Sequence, residues 1–292
     1  MTWVWFALLT AAGSAGTSLV LKRAVTLGNA VASTIGFRVA SGVLIAVIVT
    51  AAGAWREPTP DYWRTIALLM VPEIGGMVCM AIALSEGDVS RVQPIFGMLP
   101  IFVTINGILF VHEIPTPLAA VGIVLVGVGI YIVGLRRGVS PLAPLIALGR
   151  DRGSWYAVLS SLFWSVTPLL HKMGSAIVGP LMWGMSVSLG SGLVLGAVFP
   201  LLRRAAPIAA TADRRRWVIT VLVAALPFSV QQLALQFALR RAQGGYVMAV
   251  SATSTLIATG LAVLLFHEGE GSTRIPGAVL VTAGAALIAL GG

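Results

Sequence analysis

The sequence predicts an all-α polytopic membrane protein whose ten transmembrane helices form a 5+5 inverted-topology repeat. Three observations lead there. Of 292 residues, 58% are hydrophobic and 10% are charged, where a soluble domain carries about a quarter charged. Ten apolar stretches approach the roughly 20 residues that a helix needs to cross a bilayer. A short polar signature also recurs in the two halves at a fixed separation. The composition excludes a soluble fold, which needs more polar surface, and disorder, which is poor in apolar residues. The net charge of +9 does not point to nucleic acid. The arginines cluster at the ends of apolar runs, as expected beside membrane helices.

Taken in order, the first five spans run approximately over Trp3–Leu21, Val31–Ala52, Tyr62–Leu84, Val92–Val111 and Pro117–Leu135. The second five cover Trp155–Leu170, Ile177–Leu202, Trp217–Leu239, Tyr246–Phe266 and Ile275–Leu290. Charge and turn signals separate them, such as Arg56-Glu57-Pro58-Thr59-Pro60-Asp61, Arg136-Arg137-Gly138 and the arginine-rich segment from Arg203 to Arg216. The first span lacks the basic leading region of a signal peptide and reads as a helix. Cys79, the one cysteine, reads as a small buried hydrophobe. Residues 1–138 form the first unit, 139–154 a linker, and 155–292 the second unit.

Internal repetition sets the relation between these units. Phe110-Val111-His112-Glu113 is echoed by Leu265-Phe266-His267-Glu268, 155 positions later. The same separation pairs Gly122 with Gly277, Gly129 with Gly284, and Pro72 with Pro227. Earlier in each half the separation is 150, pairing Trp5 with Trp155, Thr17 with Thr167, Lys22 with Lys172 and Gly42 with Gly192. An odd number of spans per half inverts the second half in the membrane. Secondary transporters use such repeats and place the substrate between the halves, near the bilayer midplane.

The fourth and ninth spans each run into a Glu that is followed by a Gly-rich helix, as in Leu99-Pro100-Ile101 to His112-Glu113 and then Gly122 to Gly129. With Lys22 closing the first span and Arg38 in the second, the chain resembles the EamA-type members of the drug/metabolite transporter superfamily over nearly its whole length. Thr255 stands where the first half has Pro100, so the repeat is imperfect. The resemblance implies export of a small metabolite, amino acid or drug, with proton coupling or exchange.

Ionisable groups deep in a bilayer cost a few kcal/mol or more. Glu73 and Arg38 lie inside spans. Glu73 shares a helical face with Gly76, Met77 and Met80, and would bind a cationic group or carry a coupled proton. Alternatively, Glu73 and Arg38 form a fixed ion pair between helices. Arg38 also suits a carboxylate or phosphate. In the eighth span, Phe228, Gln231, Gln232 and Gln236 offer an aromatic ring and amides, which either meet a substrate or bridge helices. Ser14 and Thr17 of the first span correspond to Trp164 and Thr167 of the sixth, so an aromatic wall replaces a small residue. Gln93 and Phe96 in the fourth span, and Met248 and Ser251 in the ninth, complete the candidate set. Gly184, Ser188, Gly192 and Gly196 make a ridge for close helix approach, expected to pack within the chain.

Neither His-Glu pair has zinc-ligand spacing, and the two sit on opposite sides, so no metal is expected. There is no phosphate-binding Gly-Lys-Ser/Thr loop, hence no built-in ATPase; almost nothing is left over for a soluble domain, so neither an enzyme nor a cofactor is expected. The leading expectation is a secondary transporter of the bacterial-type inner membrane, working by alternating access and expected to be a monomer. The alternative is a lipid head-group flippase using Arg38, Lys22 and Arg91. Orientation is contested. The odd-numbered loops hold thirteen Lys and Arg, and the even-numbered loops five. The positive-inside rule therefore places both termini outside, whereas the family resemblance places them in the cytoplasm.

Overall fold

The computed structural model describes residues 2–86, 95–135, 140, 142, 146, 151–202, 213–266 and 271–292. Every regular element among them is a helix. In chain order these are α1 (Thr2–Leu27), α2 (Ala30–Ala51), α3 (Pro60–Glu86), α4 (Leu99–Val111), α5 (Pro117–Gly134) and α6 (Arg152–Val178). They continue with α7 (Pro180–Leu202), α8 (Arg214–Leu239), α9 (Gly244–Ser251), α10 (Ser254–Phe266) and α11 (Gly271–Gly291). Six of them are long and apolar enough to cross a membrane, and shorter apolar helices accompany them. Ten spans fit this set, with α9 and α10 sharing the ninth.

The surface is built for lipid. Val71, Leu109, Phe110, Leu193 and Val279 all point outward, a density of exposed apolar side chains that a water-soluble monomer does not carry. The interior is unusually polar. α6 is not among the six long apolar helices, because its inner face carries Ser154, Ser160, Ser161, Ser165, Thr167, His171 and Ser175, all buried. Their hydroxyls find partners inside. Ser160 donates to the Gly76 carbonyl at 2.8 Å, and the Asn106 amide donates to Ser165 at 2.6 Å. Burying these groups without partners would cost several kcal/mol each.

Helix starts follow local chemistry. The side chains of Asn29, Thr116, Asp151 and Asp213 accept backbone N–H groups at the beginnings of α2, α5, α6 and α8, as capping residues do. His112 ends α4 in the left-handed region, at φ 57°.

Packing is dominated by four helix pairs: α1 with α8, α3 with α6, α2 with α7, and α5 with α11. Glycines make the closest of them. A Cβ on Gly122 would stand 2.6 Å from the Gly284 carbonyl oxygen, and one on Gly284 would stand 2.6 Å from that of Gly122. Gly129 and Gly277 repeat the reciprocal contact at 2.7 and 2.6 Å. At such separations backbones touch directly, with room for Cα–H···O contacts. The α7 ridge packs within the chain, as expected: Gly192 faces Val39 of α2, and Gly184 faces Leu233 of α8.

Two expected spans are not continuous. The ninth breaks at a turn over Ala252 and Thr253, where Thr255 and Leu256 donate to the carbonyls of Ala252 and Thr253, three residues back. The fourth breaks at Gly97 and Met98, and Ile101 donates three residues back to Met98. Pro100 explains this break in part, because it lacks an N–H and cannot continue the ladder from the preceding turn. Apolar periodicity carries no sign of either break. The sixth span is longer than expected and reaches Val178, since buried polar residues continue it past Leu170.

Gly122→Ala places a methyl group against fixed backbone, so it is expected to destabilise the protein by about 1–3 kcal/mol. Gly260→Ala, where nothing lies within 4 Å, is expected to be neutral. Thermal unfolding of both variants in detergent checks this, and equal melting points would contradict the tight α5–α11 seam.

Candidate functional site

A cavity of about 750 Å³ lies among the helix midpoints, within the range of small-molecule sites. Its wall is drawn from α1, α2, α3, α4, α5, α6, α8, α9 and α10. Of the residues singled out by sequence, Ser14, Thr17, Arg38, Glu73, Phe96, Trp164, Thr167, Phe228, Gln231, Gln232, Met248 and Ser251 line it. Met77 does not. The lining position on α3 is taken by Met80, two turns from Glu73, while Trp164 fills the space against Gly76, its Nε1 2.6 Å from where a Cβ would stand. Of the expected face, Glu73 and Met80 thus line the cavity and Met77 does not. Gln93 lies outside the described residues, as do Arg91, His267 and Glu268.

The charged pair sits in this wall. Arg38 Nη1 donates to Glu73 Oε1 at 2.9 Å and to the Ser191 hydroxyl at 2.7 Å. Its guanidinium carbon lies 5.0 Å from the centroid of the Phe228 ring, within cation–π range. Three helices, α3, α7 and α8, thus hold one side chain of α2. The pair both bridges helices and faces the cavity, so the two sequence readings of it are compatible. Satisfaction is incomplete: Arg38 Nε and Gln232 Nε2 are buried without a hydrogen-bond partner. The eighth-span amides divide their work. Gln231 and Gln232 face the cavity, whereas Gln236 turns to the next helix and meets His171 Nδ1 at 3.1 Å.

His171 is the residue that sequence reasoning missed. It lines the cavity and is 4% exposed. The signal was available, because Trp164, Thr167 and His171 recur along α6 at spacings of three and four residues, on one helical face. Attention to charged residues passed over a neutral imidazole.

Lining residues extend from the helix midpoints toward the ends of α1 and α5 that carry Leu21 and Leu135. That is the side of the odd-numbered loops. The other side, which bears both chain ends, is tied shut. Lys172, in the last two turns of α6, pairs with Glu113. The second carboxylate oxygen of Glu113 accepts the Gly244 N–H at 2.8 Å, at the start of α9, where helix N–H groups lack partners. Gln243 adds a bond to the Ile114 carbonyl at 3.1 Å. Glu113 therefore ties the end of α4 to both α6 and α9. Among the described residues, no group of three His, Cys, Asp or Glu could hold a metal ion.

The family model described as the EamA-like transporter family matches residues 1–135 and 151–290. A curated relative from a Sinorhizobium species, described as an uncharacterized transporter in the cobO 3' region, is 32% identical over 115 residues. The match covers 38% of this chain and 82% of that protein. A solved crystal structure shares the fold, with a TM-score of 0.77 at 14% identity over 99% of this chain and 96% of the other.

Because Glu113 serves Lys172 and the α9 N-terminus together, Glu113→Ala and Lys172→Ala are not expected to be additive. Their double-mutant cycle, read by thermal unfolding, should show a coupling of about 0.5–3 kcal/mol. Simple additivity would mean that the two side chains act independently.

Proposed function

The chain belongs to the EamA-like transporter family, and from that premise we propose that it exports a small polar or amphipathic metabolite by alternating access between two inverted five-helix halves. It is an integral membrane protein, and the membrane we assign is the bacterial-type inner membrane. The observation that carries the reading is the central cavity with the Arg38–Glu73 pair in its wall. A charge pair at such depth costs energy that packing alone does not require.

Several contacts support the inverted halves. At a separation of 150, Gly42 against Leu189 becomes Gly192 against Val39, and both contacts are present. At a separation of 155, the Gly122–Gly284 contact becomes Gly277–Gly129. Exchanging the halves turns the α1–α8 pair into the α6–α3 pair. The helices α4 and α10 begin and end 155 residues apart, and so do the turns that precede them. Interrupted helices at matching positions of two repeats are a mark of substrate sites in secondary transporters.

The substrate in this reading lies against Trp164, Phe96 and Phe228, with its polar part toward Arg38 and Glu73. Glu73 carries the coupled proton or meets a cationic group. The flippase alternative loses ground, because Lys22 is absent from the cavity wall and Arg38 is already engaged by a carboxylate.

Three experiments test the proposal. A panel of amino acids, amines and carboxylic acids is screened by ligand-dependent thermal shift, and the stabilising compound is followed by counterflow in proteoliposomes. Glu73→Gln is expected to cut transport by an order of magnitude and to abolish its dependence on a pH gradient. Wild-type behaviour would remove Glu73 from the coupling. Orientation is settled with a reporter. The charge distribution puts the odd-numbered loops in the cytoplasm, so alkaline phosphatase fused to the C-terminus is expected to be active. An inactive fusion would restore the family orientation and make the cavity open outward.

A further inference from the structure

His171 has two ring nitrogens with different surroundings. Nδ1 is turned away from the cavity toward two neighbouring helices. It accepts from the Trp183 indole N–H of α7 at 3.1 Å and lies 3.1 Å from the Gln236 amide of α8. An indole nitrogen can only donate. A proton on Nδ1 would therefore set two N–H groups against each other, and Trp183 has little freedom to retreat. It is fully buried, with the Gly174 backbone of α6 against its ring, and the Tyr62 ring stands edge-on at 6.1 Å. This arrangement selects the neutral tautomer with its hydrogen on Nε2. Nε2 has no hydrogen-bond partner among the described residues, in a ring that lines the cavity.

We propose that His171 is a ligand-binding residue: its Nε2–H, aimed by Trp183, is a fixed hydrogen-bond donor in the cavity for the carboxylate of an aromatic or similarly apolar organic acid. The inference rests on the cavity being the ligand site and names the chemistry of that ligand. Two further donors in the same region point the same way, since Arg38 Nε and Gln232 Nε2 also lack partners. One carboxylate oxygen of Glu73 is already turned to Arg38, and the buried side-chain atoms of the wall that lack partners are both donors, suited to an acceptor on the ligand. The apolar body of such an acid meets Phe96, Trp164 and Phe228. The second half of the chain supplies the histidine alone, because the position 150 residues earlier is Leu21. The donor is therefore a feature of this cavity and not of the repeat.

The test uses the full chain in nanodiscs, with ¹⁵N-labelled histidine and His112→Asn and His267→Asn to leave one signal. The expected spectrum shows hydrogen on Nε2 and an accepting Nδ1, and Trp183→Phe is expected to mix the tautomers. Hydrogen on Nδ1 in the wild-type pocket overturns the proposal. Benzoate is the probe of ligand class and benzylamine its cationic control. Benzoate, but not benzylamine, is expected to move the Nε2–H resonance. By calorimetry, His171→Phe should weaken benzoate binding by about tenfold or more, the share of one hydrogen bond to a charged group, and His171→Asn should recover most of it. Equal benzoate affinity in all three proteins overturns the donor role and leaves the cavity as a binding site. Absence of benzoate binding to the wild type overturns the choice of carboxylate. Benzoate binding without any transport counts against the transporter reading alone.

Discussion

No water reaches the core of a bilayer, so each polar group placed there must find its partner within the chain. The arrangement of this protein follows from that constraint. Backbone groups are absorbed into helices. Hydroxyl and amide side chains turn inward and collect on α6, whose serines and threonine are buried against α3 and α4. Apolar side chains turn outward to lipid. The result is a protein with an apolar lipid-facing belt and a buried set of polar groups, and a cavity forms where polar groups from several helices meet without filling the space between them.

Within that centre, the degree of satisfaction varies in an informative way. The Glu113 carboxylate has both oxygens occupied, one by Lys172 and one by the Gly244 N–H. The Arg38 guanidinium uses a single nitrogen for Glu73 and Ser191 and leaves Nε unmet. Full pairing goes with closure on the side of the chain ends. Incomplete pairing goes with the cavity wall, where a buried donor without a partner costs about 1–3 kcal/mol and a bound acceptor would relieve it.

Much of this was legible in the sequence. Span count and lipid-facing composition follow from long apolar runs, which membrane helices must have. Twelve candidate residues lie in the cavity wall because helical spacing, applied to the few polar residues in each run, selects the face that cannot meet lipid. The limits have physical causes. Of the two methionines expected on the Glu73 face, Met80 lines the cavity and Met77 does not, because a face read at 3.6 residues per turn is uncertain by a side chain's width. The breaks at Gly97-Met98 and Ala252-Thr253 alter hydrogen bonding without altering hydrophobicity. His171 depends on Trp183 and Gln236, which approach it from other helices and leave no mark near it in the chain.

The reciprocal glycine contacts between α5 and α11 have a mechanical consequence. Four points of backbone contact, at Gly122, Gly129, Gly277 and Gly284, leave no room for a side chain between the two backbones at those positions. One cannot slide or roll past the other without driving a carbonyl oxygen into a Cα. In the proposed alternating access, this pair would travel as a single rigid post. The remaining helices would have to swing about it, in the way a door uses its frame.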